Sequence, residues 1–420
     1  MSGPSNRPAV QPTNRLLWVD LLKGLAVIWM IEVHATNALV RPALRAGTAF
    51  DWLNYGNGLI APAFLFTSGA LFLVTLKRKL PDFLKVGPLF WKQVYRLLGV
   101  VALGYVLHLP RFSLRQMLFS LGPGDVSGFL QSDILQVIGV SLVFMVLLVL
   151  LLRNRGRVAV AAGLAGLAVF LLAPSALNSN WSLPSFLSPY ITGQPKTMFP
   201  FLPWAGFLLF GSVVGYLYDR VKGSPWFVLG ITVFGLLLFW GAWNSNRMAQ
   251  TWFDARHWKN FYLSSPSWYL GKLAPVLPGI GFWWAWERLV VPKGQIGRHS
   301  ERSEESQPLS RLLALLLNRT SKKILQVLTG VLSLFGRQSL LAYSFHIPIV
   351  YGSALGRGLW GIRGESLSWG GVALMWLGVT ILTGLVCWAW DAFKSRSPRW
   401  SRRTFYLLWG IFLAYFILSP

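Results

Sequence analysis

A single cysteine, Cys387, stands in the whole chain, which rules out an internal disulfide and any cysteine-rich metal site. Charge is scarce as well: 13% of the residues are Asp, Glu, Lys or Arg, where a soluble domain carries about 25% to dress its surface. Acidic residues are rarer still, 14 against 39 Lys and Arg. A water-facing surface cannot be built from so few charges. No repeat of motif or spacing relates the two halves of the chain. No cleavable leader is read either, because the tail before the first apolar run is weakly basic and no small-residue cleavage site comes after that run.

What the chain has in quantity is apolar and aromatic. Hydrophobic residues make up 54%, with 22 Trp and 28 Phe, the composition of a bilayer protein whose aromatics gather at helix ends. Apolar runs of about 20 residues, enough to cross the hydrocarbon core as helix, lie near 16–38, 57–76, 90–109, 134–152, 158–174, 199–218, 226–243, 268–289, 330–353, 370–390 and 404–419. The expected fold is therefore all-α, a polytopic transmembrane bundle of about eleven helices. Residues 1–14 read as a disordered cytoplasmic tail and 15–420 as one membrane domain. The polar stretch at about 293–323, which begins KGQIGRHSERSEESQPLS, reads as a cytoplasmic linker.

The net charge of +25 would suit nucleic acid if it were clustered, so its placement decides. With the N-terminus inside, the cytoplasmic segments hold more than twice as many Lys and Arg as the outer ones. That is the positive-inside bias, and the charge reports topology and anionic lipid. The expectation is an integral protein of a prokaryotic plasma (inner) membrane, N-terminus cytoplasmic and C-terminus outside, with no nucleic-acid partner.

Ionisable groups within a bilayer are costly, so each is a functional candidate. The first span, RLLWVDLLKGLAVIWMIEVHATNAL, holds Asp20, Lys23, Glu32, His34 and Asn37. At about 100° per residue, Asp20, Lys23, His34 and Asn37 share an arc of roughly 100°, whereas Glu32 points elsewhere. Lys23 and His34 are about 16 Å apart along the axis. The third span adds Lys92 and Arg96, the fourth Asp133 and Gln136, the ninth Arg337 and His346, and Trp204 lies in PFLPWAG. Basic groups toward the cytoplasmic end with a histidine deeper suit an anionic cytosolic donor whose reactive end reaches into the membrane.

Plainer roles fit the same residues. Asp20 and Lys23 are spaced as a buried ion pair, Asp133 stands at a helix start as an N-cap, and Arg96 and Arg337 can snorkel to headgroups. Trp204 suits packing, His108 an interface, and His34 or His346 a structural hydrogen bond. Cys387 reads as inert in its apolar span.

The segments RLLWVDLLKGLAVIWMIEVH, PAFLFTSGALFL, DILQVIG, FPFLPWAGFLLFGSVVGYLY and GRQSLLAYSFHIP, in this order, resemble the heparan-α-glucosaminide N-acetyltransferase catalytic-domain family, within a wider group of transmembrane acyltransferases. The resemblance implies transfer of an acyl group, usually acetyl, from cytosolic acyl-CoA to a saccharide or glycolipid on the far side, with a catalytic histidine best matched by His34. It implies acetyl-CoA as donor substrate and no metal. On that reading His34 and Asp20 are catalytic, Lys23, Lys92, Arg96 and Arg337 meet the donor's phosphates, and Asn37, Asp133, Gln136, His346 and Trp204 line the acceptor site. The chain departs from the family's Asp-x-x-Arg-Gly, having Lys23 before Gly24. In lysosomal relatives the catalytic histidine lies in the loop after the first helix, and an extra lumenal domain is present. Direct transfer and an acyl-histidine route both remain open, as does acylation of an amine or a hydroxyl. The competing classes are a transporter or flippase of a sugar or lipid-linked sugar, which also places charges in the membrane, and a purely structural membrane protein.

Overall fold

The structure, a computed structural model, describes residues 16–195, 197–252, 265–290, 319–353 and 356–419. The expected tail at 1–14 and the linker up to residue 318 lie outside the described residues. The regular structure of the described residues is helical apart from a two-residue antiparallel ladder, β1 (Gly352–Ser353) with β2 (Gly356–Arg357), and an isolated bridge between Val40 and Leu367. In order these are α1 (Leu17–Leu39), α2 (Thr48–Asn57), α3 (Ile60–Leu84), α4 (Pro88–Leu107), α5 (Leu114–Phe119) and α6 (Pro123–Leu130). There follow α7 (Ile134–Leu152), α8 (Arg155–Leu177), α9 (Ser188–Ile191), α10 (Phe201–Arg220), α11 (Pro225–Trp252) and α12 (Pro266–Leu273). The last are α13 (Val276–Val290), α14 (Arg319–Arg337), α15 (Ser339–Tyr351), α16 (Leu359–Arg363), α17 (Trp369–Arg396) and α18 (Pro398–Leu418).

Among the described residues six helical stretches are long and apolar enough to cross a membrane: Thr48–Leu84, α7, α8, α10, Pro225–Ser245 of α11, and α17. The pair α14–α15, bent by 82° at its break, makes a seventh if taken as one span. The other stretches expected to cross coincide with α1, α4, α12–α13 and α18. These carry charged residues such as Asp20, Lys23, Lys92, Arg96, Arg402 and Arg403, or are broken between Leu273 and Val276. Leu164, Leu171, Leu237, Leu374, Leu385 and Leu407 are exposed. Large aliphatic side chains turned outward along several helices suit lipid rather than water, and the protein is an integral membrane protein.

Without water to drive helices together, bilayer bundles rely on close backbone approach at small residues. Gly211 and Gly215 make a small-xxx-small step on α10, and a Cβ at either would overlap the backbone of α3 at Phe66 or Ala70. Gly69 on α3 answers in the opposite direction, seated against the Leu208 carbonyl. The same device joins α1 to α14: Gly24 sits on the Leu332 carbonyl and Gly336 on the carbonyl of Asp20. Phe170 of α8 fills the space over Gly206 and lies 5.4 Å from the Phe207 ring and 5.5 Å from that of Tyr269.

Helix α1 is the hub, packed by α3, α13, α14, α15 and α17. Its first turn lacks a side-chain cap from Leu16. Instead Glu287 of α13 accepts from the Trp18 amide at 2.9 Å, placing a carboxylate at the positive end of the helix dipole. Further along, the Trp376 indole of α17 donates to the Ile28 carbonyl at 3.1 Å. A polar stripe on so enclosed a helix opens only inward.

Candidate functional site

The inward opening is a cavity of about 460 Å³ walled by α1, α3, α4, α7 and α15. Two of its lining cations, Lys23 and Arg96, come from the first halves of α1 and α4, and its lining histidines, His34 and His108, from the far ends of the same two helices. Eleven residues separate Lys23 from His34 and twelve separate Arg96 from His108, so the basic and imidazole groups stand about 16–18 Å apart along the helices. Val100, Ile134, Leu135, Ile138 and Leu340 line the stretch between. The cavity is thus a passage of mostly apolar lining, with the hydroxyls of Ser68 and Ser339 in its wall and charged or imidazole groups toward either end.

At the imidazole end, contacts tie together elements remote in sequence. His34 Nδ1 lies 3.2 Å from the Tyr351 hydroxyl, and its ring centroid is 5.3 Å from that of His346. His346 is fully buried. Its Nδ1 donates to the Ala342 carbonyl at 2.7 Å, because a carbonyl can only accept, and this places the lone pair on Nε2. Among the described residues that Nε2 has no hydrogen-bond partner.

The Tyr343 hydroxyl donates to Asp133 Oδ2 at 2.6 Å, while Asp133 Oδ1 accepts from the Ile134 amide at 2.7 Å and caps α7. His108 reaches the same carboxylate, with Nε2 3.9 Å from Oδ2, and its Nδ1 donates to the Gly104 carbonyl at 2.9 Å. An N-cap role for Asp133 and a place in the cavity wall therefore coexist.

The structure brings Lys23, His34, Asn37, Arg96 and Asp133 into this one lining. The remaining candidates stand elsewhere. Asp20 lies one turn before Lys23, outside the lining, and Lys92 is exposed and outside it too, one turn before Arg96 on the same face of α4. Arg337 is bound by Asp391 of α17 at 3.1 Å and by Ser333 at 2.6 Å. Gln136 is fully buried against α4 at Gly104. Trp204 packs on Phe199, 4.7 Å between centroids, behind the cavity wall that Phe199 helps to form. His346 stands behind His34 and Tyr343. Glu32 turns away and accepts from Thr36 Oγ1 at 2.6 Å.

Residues 15–243, more than half of the chain, match the family described as heparan-alpha-glucosaminide N-acetyltransferase, catalytic. The chain belongs to this family. No similar curated protein was found. The family implies a membrane acetyltransferase-type function. The matched stretch runs from α1 into α11 and includes Asp20, Lys23, His34, Asn37, Lys92, Arg96, Asp133, Gln136 and Trp204. Arg337, Tyr343, His346 and Tyr351 lie beyond it, so the cavity is closed by a helix outside the matched segment.

Sequence reasoning missed Tyr343 and Tyr351 and placed His108 at an interface. The signal for the two tyrosines was present, since Tyr343, Ile347 and Tyr351 recur every four residues in SLLAYSFHIPIVY and share one helix face. For His108 no local signal exists: it is the C-cap of α4, and only the packing of α4 on α7 turns it to Asp133.

Proposed function

We propose that the protein moves an acetyl group from acetyl-CoA, entering from the cytoplasmic side, to a saccharide acceptor at the far side of the membrane, with His34 as base or acyl carrier. The observation that carries the reading is the continuity of one cavity from Lys23 and Arg96 to His34. Coenzyme A bears several phosphate charges, which the two cations can meet. Its long pantetheine arm carries no charge, as suits a passage between the two ends that is lined by no further Lys, Arg, Asp or Glu among the described residues. The excess of Lys and Arg in the segments assigned to the cytoplasm supports that side as the donor's entry.

Acyl transfer needs a group that takes the acceptor's proton, and a positioned imidazole suits the task. In the tautomer this chemistry requires, Nδ1–H donates to the Tyr351 hydroxyl oxygen, and the lone pair on Nε2 is the one left to act. In direct transfer the acceptor heteroatom attacks the thioester carbonyl, its proton passes to His34 Nε2, and the carbon–sulfur bond breaks. The departing thiolate takes that proton and leaves as the free thiol. In the two-step route the Nε2 lone pair attacks the carbonyl, the carbon–sulfur bond breaks and the thiolate departs, leaving an acyl-imidazolium. The acceptor heteroatom then attacks the acetyl carbon, and the carbon–nitrogen bond breaks to restore the neutral imidazole. The proton the acceptor loses balances the one the thiolate takes up to become the free thiol. Burial of His346 behind the ring holds it in place in either route.

The test is thiol release from acetyl-CoA by the detergent-purified protein with mixed amino sugars, for wild type and His34→Ala. Release by wild type, lost in a folded variant that still binds acetyl-CoA, supports the reading. Wild type that neither binds nor consumes acetyl-CoA sinks it and leaves transport of a sugar as the leading alternative.

A further inference from the structure

The two ends of the cavity differ in charge. Lys23 and Arg96 occupy the end assigned to the donor, whereas the opposite end holds Asp133, and no other carboxylate contributes to the lining among the described residues. Asp133 is not placed there by chance of rotamer. Oδ1 is held by the amide at the start of α7 and Oδ2 by Tyr343 of α15, so two helices fix the group. Each carboxylate oxygen has two lone pairs and these contacts use one apiece, leaving acceptor capacity that faces the cavity.

His108 stands beside it, its tautomer set by the Gly104 carbonyl so that the Nε2 lone pair looks toward Asp133 and the cavity. Asn37 and Gln131 add side-chain amides, and Phe199 adds an aromatic face. Fixed carboxylate, imidazole, amides and one aromatic ring make a set suited to hydroxyls, an ammonium and the apolar face of a pyranose. The second cation after α1 on this side, Arg45, is committed to Glu365 at 3.3 Å and to the Asn37 and Val40 carbonyls at 3.0 and 2.8 Å.

We infer that Asp133, with His108, is the specificity determinant of the acceptor end, and that it selects an uncharged or cationic sugar and rejects sulfated or uronic sugars. The inference rests on the acetyltransferase reading for which end the acceptor occupies. A second negative charge brought against a carboxylate that cannot turn away is penalised. The family's name refers to heparan, a polyanion; this lining is the wrong sign for such a chain near the reacting group.

The experiment measures binding of D-glucosamine and of glucosamine 6-sulfate to the full-length, detergent-purified protein by tryptophan fluorescence, alongside thiol release from acetyl-CoA with each sugar. Wild type should bind glucosamine at least about tenfold more tightly than the sulfate, as expected for a fixed like-charge contact. Asp133→Asn keeps the shape and the N-cap and should bring that ratio close to one. Asp133→Glu should retain the preference, and His108→Gln should weaken both sugars. Equal binding of the two sugars by wild type, binding of neither, or a ratio unmoved in Asp133→Asn overturns the assignment. Sugar discrimination that holds while no thiol is ever released overturns the acetyltransferase reading and leaves Asp133 as the selector of a bound sugar. Thiol release with no discrimination does the reverse.

Discussion

The Tyr351 hydroxyl lies 3.2 Å from His34 Nδ1, although 317 positions separate the two residues. Helix α15 thereby completes a site begun on α1. The contact orients the imidazole and occupies one of its ring nitrogens, and a hydrogen bond to one ring nitrogen sets the role of the other.

Tyr351→Phe removes that hydroxyl and little else. On the proposed mechanism kcat falls about tenfold, the equivalent of roughly 1.4 kcal/mol for one hydrogen bond, while KM for acetyl-CoA stays put. Steady-state thiol release reads both numbers, and a loss confined to KM would remove Tyr351 from the mechanism.

Arg96 and Arg337 should part company. Arg96 lines the cavity, whereas Arg337 is engaged by Asp391 and Ser333. Arg96→Ala should raise KM for acetyl-CoA by about ten- to a hundredfold, as expected for a lost charge-assisted contact, with unfolding temperature little changed. Arg337→Ala should lower the unfolding temperature and leave that KM within about twofold, since its partners are structural. The opposite pattern would assign the donor's phosphates to the wrong residue.

Asp391 bridges the break between α14 and α15. One carboxylate accepts from Gln338 Nε2 at 2.6 Å and from Arg337 at 3.1 Å, straddling the 82° bend. Because both charged partners are about a third exposed, Asp391→Ala is expected to cost only about 1 kcal/mol. Differential scanning fluorimetry in detergent should show a shift of a few degrees. Unchanged unfolding would mean that packing alone holds the bend.

Gly211→Val tests the core of the bundle. A side chain there meets the Phe66 carbonyl of α3, and backbone cannot retreat as a side chain can. Overpacking of this kind costs about 3 kcal/mol or more. The variant should elute from size exclusion as aggregate or fail to extract, whereas Gly378→Val, with open space around it, should behave as wild type. Equal behaviour of the two would refute the close approach of α3 and α10.

How much of this was legible beforehand can be traced residue by residue. The stripe of Lys23, His34 and Asn37 was readable because helix geometry converts spacing into a shared face, and those three line one cavity. Asp20 belongs to the same arc yet lies outside the lining, since direction around an axis says nothing about where along the axis a cavity ends. Arg337 resembles Arg96 in sequence, a cation near a span's end, and the two are distinguished only by Asp391, which lies 54 positions downstream of Arg337.

Membrane class, helical fold and family come from composition, apolar run length and local motif, all of which are properties of neighbouring residues and survive without knowledge of any contact. Long runs of Leu, Val and Phe with few charges leave only helices in lipid as an outcome. The site is another matter. His34 with Tyr351, Asp133 with Tyr343, and His108 with Asp133 are each joined across helices, and which helix faces which depends on where glycines let backbones touch. That choice is made by packing of the whole bundle, so the tertiary structure alone decides which polar groups meet.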